Sequence, residues 1–241
     1  DLLIVHGLFG SGRNWRAIAR NISSDRQVHV VDMRNHGESF WNADNSYESM
    51  AEDLKKIITS LKNPVDVLGH SMGGKASMVL AINNPDLVNR LLIVDIAPTK
   101  YQHDQSINIS IMKNLPIDDL TRRSDADLIL KKTLSDDALR AFFLQSLIIS
   151  PNGNSWQLNL DALDKNMDKI IGFPDVSGQF NGMTFFLKGE LSNYISDKDL
   201  PNINLLFPRN KIITIKNAGH WVHAEATRDF LISVKKYLSG S

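Results

Sequence analysis

Cysteine is absent from the 241 residues. That excludes disulfides, thiolate metal sites and a cysteine nucleophile together, and it fits a reducing compartment. Net charge is lacking too: Lys+Arg and Asp+Glu each count 27, with no basic run and no acidic tail. A nucleic-acid partner is therefore not expected. No apolar stretch approaches the length of a membrane span, so no stable membrane insertion is expected, and no secretory signal pattern is present. Internal repeats and low-complexity segments are missing as well. What remains, with 42% hydrophobic residues, suits one globular α/β domain carrying an insertion.

The most informative stretch runs from Pro64 to Asn84. Val65, Val67 and Leu68 read as a short buried strand, while Ala76, Val79 and Leu80 share a face at helical spacing. Between them Gly69-His70-Ser71-Met72-Gly73 fits G-x-S-x-G, a nucleophile elbow in its required strand–turn–helix setting. A serine on such a strained turn needs neighbours that let two backbones pass closely. A Cβ at Gly69 or Gly73 is expected to clash.

Strand and helix alternate on both sides of the elbow. Leu2 to Val5 runs into the glycine-rich His6-Gly7-Leu8-Phe9-Gly10, and Asn14 to Asn21 reads as helix. Val28 to Val31 precedes a turn holding Asp32, Arg34, Gly37 and Ser39, which reads as structural. Tyr47 to Leu61 is an amphipathic helix with Met50, Leu54, Ile57, Ile58 and Leu61 inward, and Glu48, Asp53 and Lys55 outward. Leu91 to Val94 ends at Asp95. The expected fold is a mostly parallel, doubly wound α/β sheet with helices on both faces. The loops starting at His6, Asp32, Gly69 and Asp95 should share its carboxyl edge, where ligands bind in such sheets.

After Pro98 this rhythm breaks. Residues 99–182 read as a helical cap, with helices over Ser106–Leu115, Ser124–Leu134, Ser135–Ile149 and Leu160–Ile171, and a small hairpin through Trp156 and Leu158. Ser124 and Ser135 are candidate N-caps. The core is expected to comprise 1–98 and 183–241, the sheet resuming with Met183–Leu187 and Ile212–Ile215 and closing with a helix over Thr227–Leu238.

A serine nucleophile at neutral pH needs a base within hydrogen-bond reach, usually histidine. In hydrolases built on this elbow the histidine comes last in the chain, after the final strand. Of the seven histidines, His220 in Asn217-Ala218-Gly219-His220-Trp221 holds that place. His223 reads as a packing residue, His70 should point away from Ser71, and His6 should brace its loop. The acid is contested. The loop where it usually lies, Lys188 to Tyr194, has Asn193 where Asp is wanted. Asp95, at the tip of the strand after the elbow helix, is favoured over Glu190, with Asp197 third. The oxyanion hole needs two N–H donors. Met72 follows the nucleophile at a helix start, and Leu8 is the expected second donor.

Taken together, His6 to Ser11, Val31 to Ser39, Gly69 to Lys75, Asp95-Ile96-Ala97-Pro98 and Gly219 to Glu225 resemble the α/β-hydrolase superfamily. The resemblance is closest to the YbfF-type esterases and their mitochondrial relatives. It spans nearly the whole sheet core and matches the cap loosely. It implies an acid after the strand that follows the elbow helix, hence Asp95, and oxyanion donors at Leu8 and Met72. Thr227 departs from the proline usual before the last helix, which should alter capping only. The chain also opens at what is the third strand of that fold, with an apolar run directly after Asp1, so residues ahead of it are expected to have been trimmed or removed, or one or two edge strands never to have been present.

The expected activity is hydrolysis of a carboxylic ester or acyl thioester by Ser71, His220 and Asp95 through an acyl-enzyme. No cofactor or metal is called for. Ile111, Phe142, Phe143, Leu147 and Trp156 are expected to form an aliphatic acyl pocket, and the resemblance implies short-to-medium chains. The partner is then a small-molecule ester or thioester, for a monomer or a dimer, in the cytoplasm or, had a targeting segment been lost, the mitochondrial matrix. Two other readings remain: a lyase of the menaquinone-pathway type, whose arginines would be Arg122, Arg123 and Arg140 unless these face solvent, and a slow-turnover binding receptor. Dehalogenase chemistry would need Asp at position 71.

Overall fold

The computed structural model describes residues 1–102 and 105–239; His103, Asp104, Gly240 and Ser241 lie outside the described residues. The elements in chain order are β1 (Leu2–Val5), α1 (Arg16–Ile22), β2 (Val28–Val31), α2 (Tyr47–Ser60), β3 (Val65–His70), α3 (Met72–Asn83) and β4 (Val88–Val94). Next come α4 (Ser106–Lys113), α5 (Arg123–Leu130), α6 (Asp137–Leu144), β5 (Leu147–Ile148), β6 (Ser155–Trp156), α7 (Leu160–Lys165) and α8 (Met167–Ile171). The chain ends with β7 (Met183–Gly189), α9 (Leu200–Leu206), β8 (Asn210–Ile215), α10 (Val222–Glu225) and α11 (Thr227–Leu238).

Six strands form one sheet in the order β2-β1-β3-β4-β7-β8. Every pairing in it is parallel. Short apolar strands separated by helices leave parallel pairing as the way to bury both faces. Two apolar clusters result. On one face Trp15, Ile18, Phe230 and Val234 from the α1 side and α11 meet Leu2, Ile4, Leu68 and Leu92. On the other, α2 and α3 pack with residues between β4 and β7 against Leu3, Val5, Val67 and Leu91. Helix α3 is buried on all sides, because it lies between the sheet and that later segment.

The register brings the strand ends to one edge. Val5 pairs with Gly69, His70 with Val94, Val94 with Leu187, and Gly189 with Ile215. The glycines of the elbow are required by close passage. A Cβ on Gly69 would lie 2.6 Å from both Gly73 O and Ser77 Oγ, and one on Gly73 would collide with the His6 carbonyl.

Between β4 and β7 the helices are shorter than the sequence pattern indicates. The run expected over Ser135–Ile149 stops at Leu144, because Leu147–Ile148 pairs antiparallel with Ser155–Trp156 around a turn with Gly153 at φ 113°. Asp136, not Ser135, caps α6, its carboxylate accepting from Ala138 N and Leu139 N at 2.9 and 3.0 Å. Ser124 is not a cap either: α5 starts one residue earlier, with Arg122 in the N-cap position. The expected Leu160–Ile171 helix breaks at Asn166, which donates from its amide to Ala43 O and Ala162 O, both at 2.8 Å. Helix α9 has no counterpart in the sequence reading. Asp53, expected to face solvent, instead takes the Arg34 Nε at 2.6 Å. No helix among the described residues is long and apolar enough to cross a membrane.

The α3 crossing gives a direct stability test. Gly73→Ala must push apart two backbones, so it should lower unfolding free energy by about 3 kcal/mol, the upper part of the overpacking range. Urea denaturation measures this; an unchanged midpoint would contradict the packing described.

Candidate active site

Ser71 sits between β3 and α3 with φ 53° and ψ −121°, a backbone that L-residues adopt only under constraint. It is held there by Ser71 N donating to Val94 O at 3.1 Å and by its own carbonyl accepting Lys75 N at 3.1 Å. On the neighbouring strand Asp95 is likewise left-handed, at φ 51°, with its N–H on Leu187 O at 2.9 Å. Parallel register therefore sets two bent residues side by side at the sheet edge.

The Asp95 carboxylate is fully buried and satisfied by three donors. Oδ1 accepts from Gly189 N at 3.0 Å, and Oδ2 accepts from the Ser192 hydroxyl and from His220 Nδ1 at 2.8 Å. The other ring nitrogen, Nε2, lies 3.1 Å from Ser71 Oγ. With Nδ1–H committed to the carboxylate, Nε2 is the acceptor and the Ser71 hydroxyl the donor.

Four further residues hold His220 and its loop. Tyr194 stacks on its ring, centroids 3.9 Å apart and planes at 19°. Burial, then the Asp95 charge, push the Tyr194 phenol up to about 12, so it stays neutral. His70 Nε2 donates to the His220 carbonyl at 3.0 Å. Glu225 accepts from Gly219 N and Trp221 N, at 2.6 and 3.1 Å, on either side of the histidine. Glu190 accepts from Asn217 N at 2.9 Å, so it braces the histidine's loop.

On the other side of Ser71 the His6 loop is tied into place. His6 donates from Nδ1 to Gly7 O at 2.8 Å and accepts Met33 N on Nε2 at 2.9 Å. His36 donates from Nδ1 to Arg34 O at 2.9 Å, and its Nε2 accepts Phe9 N at 3.2 Å. Phe9 is left-handed at φ 63°, and Gly10 N closes on Gly7 O at 3.1 Å. Among the described residues neither Leu8 N–H nor Met72 N–H meets an acceptor. Both residues line the cavity at Ser71.

That cavity measures about 870 Å³ and lies between the strand edge and the segment that joins β4 to β7. Tyr47, Ile96, Tyr101, Phe142, Phe143 and Ile171 form much of its apolar wall. Of the expected acyl-pocket residues, Phe142 and Phe143 are present. Ile111, Leu147 and Trp156 instead pack into the core cluster, away from the cavity. Arg122, Arg123 and Arg140 do not reach it either. Arg140, allowed above to face solvent, is buried and donates to Asp127 at 2.8 Å and Asp137 at 2.5 Å. Arg34 pairs with Asp53 and bonds the Asp44 and Ser49 carbonyls, a structural role. No cluster of metal-binding side chains occurs among the described residues.

Sequence reading brought together Ser71, Asp95, His220, Leu8 and Met72, and the fold places them at one point. The contacts of Ser192, Tyr194 and Glu225 were not foreseen, while His70, expected to point away from Ser71, bonds the His220 carbonyl. The signal for Ser192 was present, because it stands in the loop that lacks the usual Asp.

Residues 2–227 match the family described as alpha/beta hydrolase fold, and the chain belongs to that family. It is 38% identical to the sn-1-specific diacylglycerol lipase ABHD11 of Mus musculus, over 99% of this chain and 80% of that protein. It is 31% identical to Esterase YbfF of Escherichia coli, over 99% of this chain and 92% of that one. Among solved structures a marine microorganism esterase superposes with a TM-score of 0.93 at 38% identity, covering 98% of this chain and 94% of that one.

Four buried histidines make stability acid-sensitive. Burial holds His36 and His223 down to about 3, and lowers His6 and His70 as well. The unfolded chain takes up these protons near 6.5 while the folded one does not, so stability is full above that value and falls as pH drops toward 3. Each histidine contributes up to about 1.4 kcal/mol per pH unit in that window. Urea midpoints should fall steadily from pH 7.5 to 5; a flat profile would show that these rings are protonated in the fold.

Proposed function

We propose that this α/β hydrolase, an esterase or lipase by its relatives, cleaves carboxylic esters of short-to-medium acyl chains through an acyl-enzyme, with acyl thioesters as a second substrate type. The observation that carries this reading is the hydrogen-bonded line from Asp95 through His220 to Ser71, ending in an apolar cavity. In it Ser71 Oγ attacks the acyl carbon while His220 Nε2 takes its proton. The Leu8 and Met72 N–H groups receive the oxyanion, helped by the positive end of α3. His220 then protonates the leaving alcohol or thiol, and a water molecule, deprotonated by the same nitrogen, releases the acid. Asp95 keeps Nδ1 protonated and supports the imidazolium. Residues 99–182 serve as the cap over this site, and residues 1–98 and 183–241 form the hydrolase core.

The relatives' names, an esterase and a diacylglycerol lipase, support ester substrates. A lyase acting on a multi-carboxylate substrate would use several arginines in the cavity; the three cap arginines considered for that role are not in its lining, and Arg13 is the one arginine among the described residues that lines it.

Ser71→Ala should abolish labelling by a fluorophosphonate probe while leaving the fold intact by circular dichroism; equal labelling would reject the nucleophile. In p-nitrophenyl ester hydrolysis, Asp95→Asn should lower kcat by about 10³- to 10⁴-fold. Glu190→Gln should stay within a few-fold of wild type. The opposite ranking would move the acid to Glu190, and no steady-state turnover at all would favour a binding receptor.

A further inference from the structure

Lys75 is a buried amine, pushed down to about 7 by that burial, that the proposed chemistry does not use. It lies one helical turn after Ser71 on α3, and it is 1% exposed. Burying an ammonium is costly unless every N–H finds an acceptor. Here all three do, and no carboxylate pairs with it among the described residues. Nζ donates to Thr99 O at 2.8 Å, Ile171 O at 2.9 Å and Gly172 O at 2.5 Å. The Tyr101 ring lies over it, 4.6 Å from Nζ.

The identity of those acceptors matters more than their number. Thr99 is the first cap residue after the core, while Ile171 ends the last cap helix α8 and Gly172 follows it. The two ends of the cap's helical part, Thr99 before its first helix and Ile171-Gly172 at the close of its last, thus converge on one atom of the helix that follows Ser71. The two ends also hold each other, Tyr101 N donating to Ile171 O at 2.9 Å, and Tyr47 Oη donates to Ile170 O at 2.6 Å. Lys75, Tyr47, Tyr101, Ile170 and Ile171 all line the cavity at Ser71. A shift of the α8 end therefore changes the space in which an acyl chain lies.

We propose that Lys75 is a positioning residue that clasps both ends of the cap to α3 and so sets acyl-chain selectivity. This rests on the ester-hydrolase reading and on 99–182 acting as the cap. Side chains of similar length but without donors leave the part-buried Thr99 and Gly172 carbonyls unpaired and Ile171 O with Tyr101 N alone, and the cap ends then separate from α3.

The test compares wild type with Lys75→Met on p-nitrophenyl acetate and p-nitrophenyl octanoate, with hydrogen exchange followed at the Tyr101 and Gly172 amides. Lys75→Met should raise KM for the octanoate about tenfold more than KM for the acetate, and speed exchange at both amides. Because the chain has no cysteine, Lys75→Cys alkylated with 2-bromoethylamine in denaturant and refolded carries an ammonium of the same reach. It should recover the wild-type KM. If Lys75→Met does not fold, Lys75→Arg, which keeps donors on a longer side chain, should show the same KM shift in smaller size. Unchanged chain-length preference with unchanged exchange overturns the proposal, as does an equal loss on both esters that the alkylated variant does not recover. Should wild type neither turn over esters nor take a fluorophosphonate, the esterase reading has failed, and amide exchange in the variant alone decides the clasp.

Discussion

The buried carboxylate of Asp95 is the point on which the site depends. A charge with no exposure to water is tolerable only when hydrogen bonds replace its hydration. Its three donors come from β7's last residue, from the loop beyond it and from the histidine after β8. Satisfying one carboxylate thus fastens two segments, Gly189–Ser192 and the His220 loop, to the tip of β4. The short distance from His220 to Ser71 follows from that fastening together with the parallel register of β3 and β4.

Around this centre the polar groups are arranged in pairs that settle which nitrogen carries the proton. His6 and His36 each donate from Nδ1 to a carbonyl and accept a backbone N–H on Nε2. A protonated ring could not accept, so the loop carrying Leu8 keeps its shape only while both rings are neutral. Burial keeps them so. His223, stacked on Trp15 at 4.1 Å, fills space behind His70 in the same neutral state.

Much of this was legible in the sequence, for a physical reason. The elbow writes itself into the chain because a left-handed serine needs small neighbours, and Gly69 and Gly73 can be read without knowing what they touch. The place of Asp95 beside Ser71 was legible because it ends the strand that follows the elbow helix, which pairs in parallel with the elbow strand. What could not be read were Tyr194 on the ring and Glu225, at the end of α10, across the His220 turn. Each is an ordinary residue of its segment until the fold brings it near. The cap was read least well. Its helices are five to eight residues long, too short for a helical period to separate from the caps and turns around it. Hence Ile111, Leu147 and Trp156 looked like pocket residues when they are packing.

The placement of β8 at the sheet's open edge has one more consequence. The proposed nucleophile and acid stand on adjacent interior strands, joined by a single fully buried helix. The proposed base hangs from the outermost strand, paired on one side only. Fraying of that edge detaches the base while the Ser71–Asp95 half remains assembled. Inactivation by mild denaturant should thus be a local and reversible event that precedes loss of the fold, leaving a protein that is intact and silent.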